Sequence, residues 1–326
     1  MNKDDILNCI RKAEENPSEI NGSVLTGLSG ARIVSLLKNF SEKIVNEKTT
    51  YLEVGVFQGL TLLSVAGSVV KHEVFGIDNF AFFDIEGKNL AIINDRMERL
   101  GIHNARIINE DFEDALEHLD KFTGNKKVGL FFIDGPHDYR SQLMCLLLIK
   151  PWLSEDAVIV IDDSNYLHVR QANNDFLKTN PVFRLIFQTY TKAHPSNLTG
   201  NEKVEAEAGW WNGLNVIVRD REDIFEPFYP PVLKDKTIFT NDHNIHSARY
   251  PEAFRKYSLY IDIIESVKRR RSGKALKGKF RSLNTFSDDL DGISYNPSFL
   301  KENEQNLNEA KKPDRIKFNR WERPAK

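Results

Sequence analysis

Tyr51-Leu52-Glu53-Val54-Gly55-Val56-Phe57-Gln58-Gly59 is the stretch on which the fold turns. An apolar run of strand length, Thr50 to Val54, meets two glycines, and a helix candidate begins at Leu60. Glycine lets the backbone turn sharply and lets a ligand approach the main chain, as in nucleotide-binding strand-to-helix turns. A tight turn without a ligand would use the same residues, so the motif alone locates a junction and no more.

Outward from this junction, short apolar runs alternate with amphipathic stretches. The strand candidates are Thr50 to Val54, Glu73 to Ile77, Ala105 to Asn109, Val128 to Ile133, Ala157 to Ile161, Arg184 to Tyr190 and Gly213 to Arg219. Helix candidates between them are Leu60 to Val70, Gly87 to Leu100, Phe112 to Leu119, Tyr139 to Trp152 and Tyr166 to Thr179. Such alternation is the signature of βαβ units, so the expected fold is α/β with a Rossmann-like, doubly wound, seven-stranded sheet. Only a loop is expected between the last two strands. Parallel neighbours need a crossover, so the sheet should be mostly parallel with an antiparallel last strand.

Residues 1 to 48 read as an N-terminal helical segment, with a helix-period stripe at Ile33, Val34, Leu36, Leu37, Phe40 and Ile44. Residues 49 to 220 form the α/β domain. After Arg219 prolines break the pattern at Pro227, Pro230 and Pro231, and a C-terminal extension, residues 221 to 326, begins. Within it Tyr250 to Arg271 reads as one amphipathic helix. Beyond Gly273 the sequence is polar, and an irregular course is expected.

The 326 residues are 40% hydrophobic and 28% charged, which excludes collagen-like, disulfide-scaffold and wholly disordered classes. No apolar run approaches the roughly 18 to 20 residues that span a bilayer. The polar start, with only two cysteines, Cys9 and Cys145, set far apart, leads us to expect a reduced, cytoplasmic protein without a secretory signal. The net charge of -2 hides an asymmetry: Val267 to Lys326 holds 16 Lys/Arg against 8 Asp/Glu, net +8, leaving 29 against 39, net -10, before it.

That acidity gathers at strand ends. Asp78 closes the second strand, 25 residues after Glu53, where a carboxylate can accept from a ribose hydroxyl pair; Asp111 follows the third. A dinucleotide would prefer a G-x-G-x-x-G phosphate loop, which this junction lacks, so a nicotinamide dehydrogenase is disfavoured. Asp134 and His137 follow the fourth strand, and Asp162 and Asp163 follow the fifth. In a doubly wound sheet all of these converge outside the carboxyl edge. Carboxylates gathered there repel one another and call for a cation, and oxygen ligands favour magnesium, manganese or calcium over zinc. Capping of the next helix is the competing use of Asp162 or Asp163.

The order Y-L-E-V-G-x-x-x-G, G-I-D, E-D-F, F-I-D-G-x-H-x-Y and I-D-D resembles the class I S-adenosylmethionine-dependent methyltransferases. Among them it is most similar to metal-dependent macrocin-type O-methyltransferases, which act on sugar hydroxyls. The resemblance covers about residues 25 to 220, and its most specific part is the I-D-G-x-H-x-Y and I-D-D pair. It implies that Glu53, Gly55 and Gly59 line the methionine side of S-adenosylmethionine, that Asp78 holds the ribose, and that Asp111 lies at the adenine. It further implies that Asp134, Asp162 and Asp163 bind a divalent cation, foremost Mg2+, and that His137 is the general base. Pro136 departs from the polar residue usual before that histidine.

The implied partner is a small hydroxylated acceptor such as a sugar, with no membrane. Two stretches are acceptor-side candidates, Asn79 to Glu86 with Phe80, Phe82 and Phe83, and Lys192 to Asn212 with His194, Trp210 and Trp211; their aromatics could face the acceptor, pack the domain or form a subunit interface, so self-association stays open. His168 and Arg170 could also face the acceptor. Lys268 to Arg271 raises a nucleic-acid-associated methyltransferase, although the body is acidic and a helix C-terminus favours cations anyway. A tailoring protein of related fold, such as a hydroxylation partner, is a further alternative, because fold does not fix function. Asp242, His243 and His246 form a weaker metal-site candidate in a polar stretch.

Overall fold

The computed structural model describes residues 3–18, 22, 24–84, 86–233 and 317–318. These belong to one of two units, comprising residues 1–233 and 298–326. The helix expected at Tyr250 to Arg271, its basic run and the Asp242, His243 and His246 group lie outside the described residues.

Strand β1 (Thr49–Val54) is buried from Thr50 onward, as its unbroken apolar run requires of a central parallel strand. The other strands are β2 (Val74–Ile77), β3 (Ala105–Ile108), β4 (Lys127–Ile133), β5 (Leu153–Ile161), β6 (Phe183–Thr189), β7 (Leu214–Arg219) and the two-residue β8 (Lys317–Phe318). Their order is β3-β2-β1-β4-β5-β7-β6-β8. Strand β1 pairs parallel with β2 and β4, β2 with β3, and β4 with β5. Strand β7 runs antiparallel to β5 and β6, and β8 pairs antiparallel with β6. The sheet is therefore Rossmann-like and mostly parallel, and all seven expected strands form.

Side chains alternate between two cores, following the two-residue period of a strand. Tyr51, Leu130, Phe132, Val158 and Val160 pack on one face with α1 (Lys3–Glu15), α2 (Ala31–Ile44), α3 (Leu60–Ser68) and α4 (Asn89–Leu100). Leu52, Phe131, Ile159 and Ile161 pack on the other with α5 (Phe112–Glu117), α7 (Tyr139–Leu148) and α8 (Leu167–Thr179); α6 (Asp120–Thr123) is a single turn. Each fully buried side chain of this size contributes about 1.5–3 kcal/mol. The predicted stripe of α2 is buried at all six positions, so the N-terminal segment shares the first core.

Two expectations fail locally. Helix α7 stops at Leu148 and β5 begins at Leu153, because Pro151 lacks the N–H a helix needs and Trp152 turns inward to donate its indole N–H to the Leu116 carbonyl at 2.6 Å. The β6 to β7 connection is not a plain loop: it contains a 3-10 turn (Pro195–Asn197) and α9 (Gly200–Ala208). Helix α9 buries only Ala206, so it presents no apolar stripe to read.

Candidate active site

Because β1 to β5 run parallel, the residues after each one emerge at the same edge, and the order reverses between β1 and β4. Crevices at such reversals are where open α/β sheets bind ligands. The ladder continues past the strands: Gly55 N–H donates to Ile77 O, Asp78 N–H to Ile108 O, Asp134 N–H to Val54 O and Asp162 N–H to Ile133 O, at 2.9–3.1 Å. Glu53, Gly55, Asp78, Asp134 and Asp162 are thus held by the sheet.

At the glycine turn, Gly55 has φ +91° and Gly59, which precedes α3, has φ +83°. A Cβ on Gly55 would lie 1.9 Å from the Asp134 carbonyl oxygen. This glycine is therefore required by the β1–β4 approach, whatever binds above it. Glu53 is fully buried and accepts from the Tyr51 hydroxyl and from Thr61 Oγ1 at 3.2 Å. Burial pushes its carboxyl up to about 8, against the lowering effect of those hydrogen bonds.

Asp78 braces the turn. Its Oδ2 accepts from the N–H groups of Val56 at 2.9 Å and Phe57 at 2.8 Å, and its Oδ1 from Phe80 N–H at 2.7 Å. A carboxylate offers about four lone-pair sites, so about one remains for a ligand hydroxyl. Asp111 is exposed and caps α5 by accepting from Glu113 N–H at 2.9 Å, with Asn79 Nδ2 at 3.5 Å on its other oxygen.

Beyond β4 and β5, Asp134, His137 and Asp163 present ligand atoms all within 4.8 Å of one another. His137 Nε2 lies 2.8 Å from Asp163 Oδ2, and its ring stacks on Tyr166 at a centroid distance of 5.2 Å. Asp163 has φ +53°, and its Oδ1 accepts from Asn212 Nδ2 at 2.6 Å. Burial would raise the Asp163 carboxyl, but His137 and the Asn212 hydrogen bond outweigh it, and the group sits below its usual value. Asp134 is pushed well above the carboxylate range, first by removal from solvent and then by the like charges of Asp162, Asp163, Glu53 and Asp78.

Asp162 is not one of that trio, although its charge is the first of those that raise Asp134. Its Oδ1 accepts from Asp163 N–H at 2.8 Å, and its buried Oδ2 has no hydrogen-bond partner. Burial and the Asp163 charge raise it strongly. Neither acid caps the following helix, since α8 has no side-chain cap.

Tyr166 and Asn212, to which sequence reasoning gave no role, belong to this region, together with Tyr51 of the strand motif and His194 of the Lys192 to Asn212 stretch, an electrostatic neighbour of Asp163 and His137. Burial lowers His194, whose Nδ1 accepts from Ser196 N–H at 3.1 Å. Tertiary folding brings the four together. Arg170, by contrast, is fully buried, donating to the carbonyls of Pro231 at 3.1 Å and Asn165 at 3.3 Å, so it serves the fold and does not face an acceptor. Trp210 and Trp211 are likewise buried in the core, while Phe82 and Phe83 remain exposed.

Residues 52–164, the span from β1 to the second acidic pair, match the family described as "Methyltransferase domain". The segment from β1 to just past β5 thus carries the sequence pattern of a methyltransferase domain. Among solved structures, this chain is similar to the O-methyltransferase from Bacillus cereus in complex with SAH, at 11% identity and TM-score 0.45, covering 68% of this chain and 92% of that one. It is also similar to the O-methyltransferase TomG from Streptomyces achromogenes, at 14% identity and TM-score 0.45, covering 68% and 91%. A third likeness is to an rRNA methylase from Streptococcus thermophilus, at 14% identity and TM-score 0.39, covering 58% and 96%. No curated protein matches the chain by sequence.

Proposed function

We propose that this methyltransferase transfers the methyl group of S-adenosylmethionine to a hydroxyl oxygen of a small acceptor, a sugar or glycosylated metabolite, with the help of a divalent cation. The observation that carries the reading is the His137 Nε2 to Asp163 Oδ2 contact at 2.8 Å beside Asp134. With Asp163 held below its usual carboxyl value and therefore ionised, the shared proton belongs on Nε2. The free lone pair of neutral His137 is then on Nδ1, which is the atom that takes the acceptor's hydroxyl proton.

The oxygen lone pair so exposed attacks the methyl carbon, and the carbon–sulfur bond breaks with its electrons going to sulfur. A positive sulfonium becomes a neutral thioether as the anionic oxygen becomes an ether. Charge disappears along the reaction, so alignment and exclusion of water supply much of the rate. Asp78, with its Oδ2 fixing the glycine turn, keeps about one lone pair for a ribose hydroxyl. Glu53, Gly55 and Gly59 form the methionine side of the pocket, and Asp111 lies toward the adenine.

Two of the three expected donors fit a hard divalent cation such as Mg2+: Asp134 and Asp163 offer carboxylate oxygens in one group with His137, while Asp162 lies outside that group with its buried Oδ2 lacking a hydrogen-bond partner. A bound cation would lower the acidity barrier of a coordinated hydroxyl, which an aliphatic alcohol needs near neutral pH. The test is calorimetric titration with S-adenosylmethionine and S-adenosylhomocysteine, with and without magnesium, followed by turnover on a panel of hydroxylated sugars. His137→Ala should lose turnover by about 10²–10⁴-fold and keep cofactor affinity. Absence of binding by either cofactor form sinks the reading.

A further inference from the structure

Asn212 is fully buried between two left-handed residues, Trp211 at φ +50° and Gly213 at φ +85°. A non-glycine residue in that region stores strain, which persists only where surrounding contacts hold it. Those contacts lead to Asp163. Thr191 N–H, a backbone donor, reaches Asn165 Oδ1 at 3.1 Å, so the other arm of that amide, Nδ2, must face Asn212 Oδ1, at 2.9 Å. Asn212 therefore turns its own Nδ2 outward, to Asp163 Oδ1 at 2.6 Å. The orientation of both amides follows from one main-chain hydrogen bond.

The backbone is built around this relay. Asn165 N–H donates to Asn212 O at 2.9 Å and Ser164 N–H to Gly213 O at 3.1 Å, joining the segment after β5 to the one before β7. A Cβ on Gly213 would lie 2.6 Å from Asn165 Oδ1, so only glycine there admits the Asn165 side chain.

We infer that Asn212 is a positioning residue for the reaction proposed above: by holding Asp163 Oδ1 it turns Oδ2 toward His137 and so sets which imidazole nitrogen is free. The inference rests on His137 being the base. Asn212→Leu keeps the side-chain size and removes the donor. The expected result is a 10–100-fold fall in kcat, the range found for residues that orient a site's ligands, with KM for S-adenosylmethionine within twofold of the parent. In histidine-selective 15N–1H spectra, taken without cofactor or metal, the Nε2-bound proton of His137 should lose its hydrogen-bonded shift. Asn173→Ala breaks a neighbouring buried amide chain that does not reach Asp163. It should lower the melting temperature yet leave kcat and the His137 signal unchanged. If Asn212→Leu does not fold, Asn212→Ala takes the same readings. A folded variant with parental kcat and an unshifted His137 signal overturns the inference. A parent protein that binds no S-adenosylmethionine overturns the functional reading instead, and the His137 signal still decides the role of Asn212.

Discussion

His137 Nε2 and Asp163 Oδ2 lie 2.8 Å apart, across two loops that leave different strands. The pair works as an oriented base if Asp163 stays ionised and aims at the ring. Asp163→Asn would let an amide donate to Nε2 and place the ring proton on Nδ1, the wrong atom for proton abstraction. Turnover should fall by at least about 10²-fold while the calorimetric affinity for S-adenosylmethionine is retained. Equal loss of both would assign Asp163 to cofactor binding.

Glu53 makes the protein sensitive to pH. Its folded value of about 8 lies above the unfolded value of 4.5, so between those limits the unfolded chain has released a proton that the folded chain keeps. Stability should be greatest below about pH 4.5 on this account and fall as pH rises toward 8, by at most ~1.4 kcal/mol per pH unit for one proton. Asp134, also raised, adds a slope of the same sign. Denaturant titrations at pH 5 to 8 should show a shallower decline for Glu53→Gln, and a slope identical to the parent would refute the assignment.

A divalent cation should compete with the proton on Asp134. Magnesium at 100 times its Kd is expected to stabilise the fold by about 2.7 kcal/mol, visible as a higher melting temperature. The gain should grow with pH, because a protonated carboxyl is a poor ligand. Asp134→Asn should abolish most of it; an undiminished shift in that variant would place the cation elsewhere.

Gly55→Ala meets two obstacles, a positive φ and a carbonyl oxygen 1.9 Å from the new Cβ. The combined cost is expected to be about 2–5 kcal/mol from left-handed strain and overpacking. Thermal melts that move by less than a degree or two would mean that β1 and β4 separate more easily than their ladder implies.

Arg96, on α4, is buried and donates from Nη1 to the carbonyls of Thr26 at 2.8 Å and Gln58 at 2.6 Å, and from Nη2 to Thr26 Oγ1 at 2.6 Å. It clamps the segment before α2 onto the glycine turn. A lysine offers one point charge in place of a fork, so Arg96→Lys should cost about 1.5–3 kcal/mol. Amide exchange at Val56 to Gly59 should accelerate; unchanged exchange there would show that Asp78 alone holds the turn.

The parallel sheet was legible in the sequence because strand burial and strand periodicity are local properties. Thr50 to Val54 reads as a strand from its own residues, and the turn at Gly55 follows from residues beside it. Helix α9 was not legible, having only one buried side chain, and the early stop of α7 depended on Pro151 acting together with a distant carbonyl for Trp152. At the site, the sequence by itself determined that Asp78, Asp134 and Asp162 share one edge, since each follows a parallel strand, with Glu53 next to the end of β1. Which lone pairs are already used was decided only by tertiary structure: Asp78 spends three on backbone N–H groups, and Asp163, not Asp162, joins Asp134 and His137 in one close group. The reason is physical. A strand end dictates where a residue emerges, but its donors come from segments tens of residues away, as Asn212 does for Asp163, and no local pattern encodes that meeting.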